Sequence, residues 1–172
     1  MKTEKENFRT AAKRTLAILL MLLLLFTAFP APLLPVNAET TDGFYYDVNN
    51  GEATITDYIG SATELVVPSV LDGYPVTKIG EFAFGVCTEL TSVRFNDGLE
   101  EIGASAFYQT GLKEVALPNG IQSLSSTFNR CKNLESVQLN SSLMTIGDGT
   151  FRNTNIKKLV VPQSVTEISE SA

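Results

Sequence analysis

The residues of this chain that could do covalent chemistry are few and poorly placed for it. Among 172 residues there is no histidine, so the commonest general base and metal ligand is missing. Ser-His-Asp and Cys-His nucleophiles are excluded with it. The neighbouring carboxylates Glu100 and Glu101 are expected on a turn, as a solvated face rather than the two walls of a glycosidase cleft. Residues 47–57, DVNNGEATITD, have the outline of a calcium loop. Its glycine, however, stands fifth instead of sixth, and no Glu closes it at the twelfth position. Cys87 and Cys131 lack the spacing of metal ligands, and no glycine-rich phosphate loop is present. No cofactor or metal is expected. What remains is the chemistry of non-covalent contact, carried by Ser92, Arg94, Glu114, Ser136, Gln138 and Lys158, which recur at matching positions of a periodic pattern.

That pattern is an internal repeat. Leu90, Leu112, Leu134 and Ile156 are spaced 22 residues apart, as are Val93, Val115, Val137 and Leu159, and Phe95, Leu117, Leu139 and Val161. A second apolar position recurs as Ile79, Ile102, Leu124, Ile146 and Ile168, and a phenylalanine as Phe84, Phe107, Phe128 and Phe151. A period of this length marks a solenoid, in which each unit buries its apolar face only by stacking on its neighbour. In L-x-x-V-x-L the Leu and Val positions point inward and the residues between them outward, on a parallel sheet. The outward pairs are Glu64/Val66, Ser92/Arg94, Glu114/Ala116, Ser136/Gln138 and Lys158/Val160, with Arg94 beside Glu114 as a cross-rung ion pair. Pro68, Pro118 and Pro162 end their strands because proline cannot donate to a ladder, and Asn96 and Asn140 end theirs by favouring turns. Gly80, Gly103 and Gly147 follow the second apolar position, where the backbone must turn closely, although Ser125 and Ser169 stand there on other rungs.

Cys87 and Cys131 both follow the repeat Phe by three residues, where Thr110 and Thr154 stand on the other rungs. They therefore lie two rungs apart, roughly 10 Å at the spacing of paired strands. A disulfide needs Cα atoms within about 7 Å. Both are expected as small, buried, free thiols.

Ahead of the repeats, residues 44–48 and 53–58 are β-rich and joined by a stretch containing Asn50-Gly51, a strong hairpin signal. The expected role is a cap over the open end and free edge of the first rung. The first rung carries a five-residue insertion around Asp72-Gly73-Tyr74-Pro75: Pro68 to Ile79 is 11 residues, where Pro118 to Leu124 is 6.

The motifs L-x-x-V-x-[LF]-[PN] and I-G-x-x-A-F, repeated over residues 61–172, resemble the BspA-like subclass of bacterial leucine-rich repeats. The resemblance implies a β-rich, right-handed leucine-rich-repeat stack with parallel strands, entered through the N-terminal β-hairpin cap. It also implies a bacterial surface protein that adheres to host matrix proteins such as fibronectin and fibrinogen. On this reading the outward residues Ser92, Arg94, Glu114, Ser136, Gln138 and Lys158 form the protein-binding surface. The alternative is a structural spacer, or a non-catalytic module of a larger cell-surface protein or enzyme. In either case the chain is not expected to be an enzyme.

The domain plan follows. Residues 1–38 have a basic start, an unbroken apolar run from Leu16 to Phe26 and a small-residue cleavage site at Val36-Asn37-Ala38, the layout of a secretory signal peptide. Residues 39–60 form a tether and the capping hairpin, and 61–172 about five rungs, the last expected to be truncated. Removing residues 1–38 takes five Lys/Arg and two Asp/Glu from totals of 13 and 19, leaving 8 against 17 and a net charge of −9. Such an acidic chain is expected to avoid nucleic acid and to meet membrane only through its signal segment. Secretion, or display at the cell surface, is the expected location.

Overall fold

A computed structural model of the chain describes residues 38–39 and 42–172. The signal peptide expected over residues 1–38 lies outside the described residues, except for Ala38. The chain opens with β1 (Ala38–Glu39), β2 (Phe44–Asn49) and β3 (Glu52–Tyr58). Strands β2 and β3 pair antiparallel through the Asn50-Gly51 turn, whose two residues both have positive φ, the mirror-image turn that suits a hairpin. Glu39, expected in a tether, instead pairs with Tyr45 as part of β1. Because β3 runs parallel to the first rung's β6 (Tyr74–Ile79), the hairpin enters the solenoid's own sheet and covers its free edge.

Five rungs follow. Four of them begin with a three-residue strand: β4 (Glu64–Val66), β7 (Ser92–Arg94), β9 (Glu114–Ala116) and β11 (Ser136–Gln138). These stack in parallel as the first sheet, in the order β4-β7-β9-β11. The second side of the stack is built from β6, β8 (Glu101–Ile102), β10 (Ser123–Leu124), β12 (Thr145–Ile146) and β13 (Glu167–Ile168). It forms two separate ladders, β3-β6-β8 and β10-β12-β13. Glu101 thus belongs to a strand, not to the expected turn. In the first rung, the insertion folds as a small antiparallel hairpin of β5 (Val70–Leu71) with β6. Asp72 and Gly73 turn it with φ of 47° and 90°. The Asp72 carboxylate accepts a 2.6 Å hydrogen bond from the buried Tyr46 hydroxyl, which ties the insertion to the cap.

A curved arc around the repeat phenylalanine closes each rung. The residues two before and two after that Phe are left-handed on four rungs: Phe82/Val86, Ser105/Gln109, Ser126/Arg130 and Gly149/Asn153. The kinks turn alternate N–H groups toward the next rung. Phe84 donates to Ala106, Phe107 to Thr127 and Phe128 to Thr150, at 2.8–3.0 Å. The arc is thus a third ladder, built without β-strands.

Inside, Phe84, Phe107 and Phe128 are fully buried and stacked nearly parallel, with centroids 5.0 and 5.8 Å apart. Phe151 continues the column at 6.0 Å. Toward the N-terminus it runs on into the cap through Tyr58, 5.5 Å from Phe84. Leu90, Leu112 and Leu134, with the Ile/Leu residues of the second side, fill the rest of the core. At two of the repeat glycines the backbones meet closely: a Cβ on Gly103 would sit 2.6 Å from the Glu81 nitrogen, and one on Gly147 2.7 Å from the Leu124 carbonyl. On the fifth rung Val161 and Ile168 remain exposed.

Candidate functional site

The outward residues form two rows on the first sheet. Pairing aligns Glu64 with Ser92, Ser92 with Glu114, and Glu114 with Ser136, making one row. In the second row Val66 is level with Arg94, and Ala116 with Gln138. Side chains alternate between core and solvent as the pleat requires: Val93, Val115 and Val137 are buried, whereas Arg94, Glu114, Ser136 and Gln138 are exposed and Ser92 is half-buried. A groove of about 320 Å³ runs across the middle of the face, lined by Ser92, Arg94, Glu114, Ala116, Ser136 and Gln138.

Two sequence expectations for this face need correction. The ion pair between Arg94 and Glu114 does not form; register places Glu114 beside Ser92, one step along the strand from Arg94. Among the described residues the one salt bridge is Lys78–Glu101, 2.9 Å and exposed, on the second side of the stack. The paired strands also end at β11, so Lys158 does not sit on a strand. It remains close to the face, lining a neighbouring groove of about 390 Å³ with Ser136, Gln138, Val160 and Pro162. Five of the six expected residues therefore share one groove, and Lys158 joins two of them in the next. Val66 and Val160, 66% and 73% exposed, add apolar side chains on the first and fifth rungs.

The cysteines are free. Cys131 is fully buried, its thiol donating to the Phe107 carbonyl at 2.9 Å and lying 3.2 Å from the Thr110 hydroxyl. Cys87 is only half-buried, not buried as expected, and lies beside the Tyr58 carbonyl in the cap. Burial raises both thiols above the usual cysteine range, with the Asp57 charge adding to the effect at Cys87.

Asn96 and Asn140 do more than end strands. The Asn96 amide donates to the carbonyls of Pro68 and Val76, and that of Asn140 to Pro118 and Ile121. Each clamps its rung onto the one before. The alternation Pro68, Asn96, Pro118, Asn140, Pro162 carried the signal, since an asparagine follows a proline at that position on every second rung.

The family model of BspA-type leucine-rich repeat regions matches residues 58–172 in six copies. The chain belongs to the BspA-type leucine-rich repeat family. The match opens at Tyr58, the last residue of β3, and so takes in every rung of the stack. Among solved structures, the chain is similar to the leucine-rich repeat protein TpLRR of T. pallidum, with 25% identity and a TM-score of 0.60 over 76% of this chain and 81% of that one. It is also similar to the pneumococcal vaccine antigen PcpA, at 18% identity and a TM-score of 0.60, over 78% of this chain and 46% of that one. The chain thus spans about half of the PcpA structure. No curated protein matches the sequence. Membership of the BspA-type family accounts for the rung architecture, and stacked repeats of this kind present extended surfaces suited to protein interaction.

Proposed function

We propose that the chain is a secreted or cell-surface module that binds a protein ligand on the outward rows of its first sheet, and that its ligand is a host matrix protein. The observation that carries this reading is the groove itself. Five polar or charged side chains, Ser92, Arg94, Glu114, Ser136 and Gln138, line one continuous patch across three rungs of the first sheet. Side chains presented on strands need little reordering within each strand, which limits the entropy lost on binding. The signal-like N-terminus and the net charge of −9 beyond it support export and argue against nucleic acid as partner. The lack of histidine, the commonest general base, favours binding over catalysis.

One observation favours the spacer reading: neither row carries an aromatic side chain of the kind that dominates interface energies. The two readings separate in a binding experiment. The chain without residues 1–38 is titrated over immobilised fibronectin and fibrinogen at low and high salt. Weak binding that fades with salt is the expected result, because the charged contacts are exposed and easily screened. No binding at any salt leaves the spacer.

A further inference from the structure

The junction between the second and third rungs differs from its neighbours on two of the three sides of the stack. On the second side, β6 pairs with β8, and β10 with β12, but β8 and β10 do not pair. Met144 and Thr145 donate to the Gln122 carbonyl across the next junction, whereas Gln122 and Ser123 make no such bonds back to the second rung. The first sheet loosens at the same level. Strands β4–β7 and β9–β11 are aligned at three residues each, but β7–β9 only at Ser92 and Glu114. Val67 donates to the Arg94 carbonyl, and Leu117 to that of Gln138; Phe95, their equivalent, makes no such bond to Ala116. The first sheet also ends after the fourth rung, yet there the second side continues through β12–β13. Only between rungs two and three do both sides weaken together, the first sheet being held there by the Ser92–Glu114 pairing and by the Lys113 N–H on the Thr91 carbonyl at 3.1 Å.

The sequence departs from the repeat at the same level. From the second apolar position to the repeat Phe is five residues in Ile79–Phe84, Ile102–Phe107 and Ile146–Phe151, but four in Leu124–Phe128. The third rung thus reaches its phenylalanine with one residue fewer than its neighbours, while that phenylalanine keeps its place in the column. The Ser125 N–H turns instead to the Thr127 hydroxyl at 3.2 Å. Serine in place of glycine is not the reason, because Ser169 bonds normally to the Ile146 carbonyl. The arc stays intact: Ser105, Phe107 and Gln109 donate to Ser125, Thr127 and Asn129 at 2.9–3.2 Å, and Cys131 clamps onto the second rung beneath them. The asparagine clamps join rung one to two and rung three to four, leaving this junction between them.

We propose that the solenoid is two blocks, the cap with rungs one and two and the block beginning with rung three, hinged on the arc at this seam. Grooves straddle the seam on both weakened sides. One is the 320 Å³ groove, which runs from Ser92/Arg94 across the seam to Glu114/Ala116 and on to Ser136/Gln138. The other, of about 600 Å³, lies between Lys78/Glu100/Glu101 and Gly120/Gln122/Ser123. Bending on the arc widens or narrows both together. The hinge stands whether or not the first groove binds protein; if it does, the hinge sets the width offered to the ligand.

Amide hydrogen exchange on the full chain tests the seam, using matched positions as internal controls. Phe95 should exchange on the order of 100-fold faster than Val67 and Leu117, and Gln122 and Ser123 faster than Met144 and Thr145 by a similar factor. Equal protection at matched positions would overturn the proposal. Spin labels at exposed positions 64 and 136, with Cys87→Ser, then report the motion. A broad distance distribution is expected, narrowing when one glycine is inserted between Leu124 and Ser125 to restore the five-residue spacing. A single narrow distance in the unmodified spacing would refute the hinge, even if the seam amides exchange quickly.

Discussion

The substitution Phe107→Ala probes the aromatic column at its most enclosed point. Phe107 has no exposed surface. It stacks on Phe84 at 5.0 Å and on Phe128 at 5.8 Å, and meets the edge of Phe95 at 5.7 Å. Deleting a buried phenylalanine costs about 3–5 kcal/mol. Each lost ring pair is worth about 0.5–1.5 kcal/mol beyond burial, so the upper part of that range is expected. A domain of this size holds only about 5–15 kcal/mol in all, and the loss takes a large share of it. Phe151 is the control, because it is half-buried and stacks on Phe128 alone among the aromatic rings. Phe151→Ala should cost about 2 kcal/mol. Urea unfolding followed by far-ultraviolet circular dichroism measures both. Equal losses, or a Phe107→Ala midpoint that hardly moves, would show that stacking between rungs does not carry the core.

Further outcomes follow from the cap, the clamps and the thiols. Tyr46 is pushed up to about 12, chiefly by its hydrogen bond to Asp72 and then by burial. The fold therefore favours the neutral phenol, and this contribution is complete below pH 10 and lost as the pH rises toward 12. Tyr46→Phe should cost about 1–2 kcal/mol at neutral pH and show a weaker decline above pH 10 in urea melts. An unchanged alkaline decline would count against the Tyr46–Asp72 tie. Asn140→Ala leaves the Ile121 carbonyl without its donor and the Pro118 carbonyl with the Ile121 N–H alone, and should lower stability by about 1–3 kcal/mol, measured the same way. Thiol titration should find two free thiols per unfolded chain, and in the native state alkylation should reach Cys87 well before the enclosed Cys131.

The apolar positions of the repeat were legible in the sequence because each has one dominant cause. A residue that recurs every 21 to 23 positions and is always Leu, Ile, Val or Phe has to face a common core, and Phe84, Phe107 and Phe128 do. The outward rows followed from the strand period of two. The 22-residue spacing also sets Ser92 level with Glu114, as the pairing has it, so an ion pair of Glu114 with Arg94 asks for a diagonal reach that the structure does not show. Lys158 was placed on a strand by extrapolation, but the first sheet ends at β11. The left-handed residues of the arcs were hidden because they include Phe82, Val86 and Arg130, types that seldom adopt positive φ. Tyr58 was read only as the end of a hairpin strand. Its place in the aromatic column depends on how the cap sits against rung one, a long-range contact that no local pattern encodes.

Binding through the first sheet is tested most directly by comparing two charge reversals of equal size in different places. Arg94→Glu with Lys158→Glu alters the outward face; Arg130→Glu with Arg152→Glu makes the same change of net charge on the arc. Both pairs are exposed, so both variants should fold. Over immobilised fibronectin and fibrinogen, the face variant should lose most of its binding while the arc variant keeps it, apart from the small loss that extra negative charge causes at low salt. Equal binding by the face variant and the unaltered chain, or a greater loss in the arc variant, would place the contact away from the sheet.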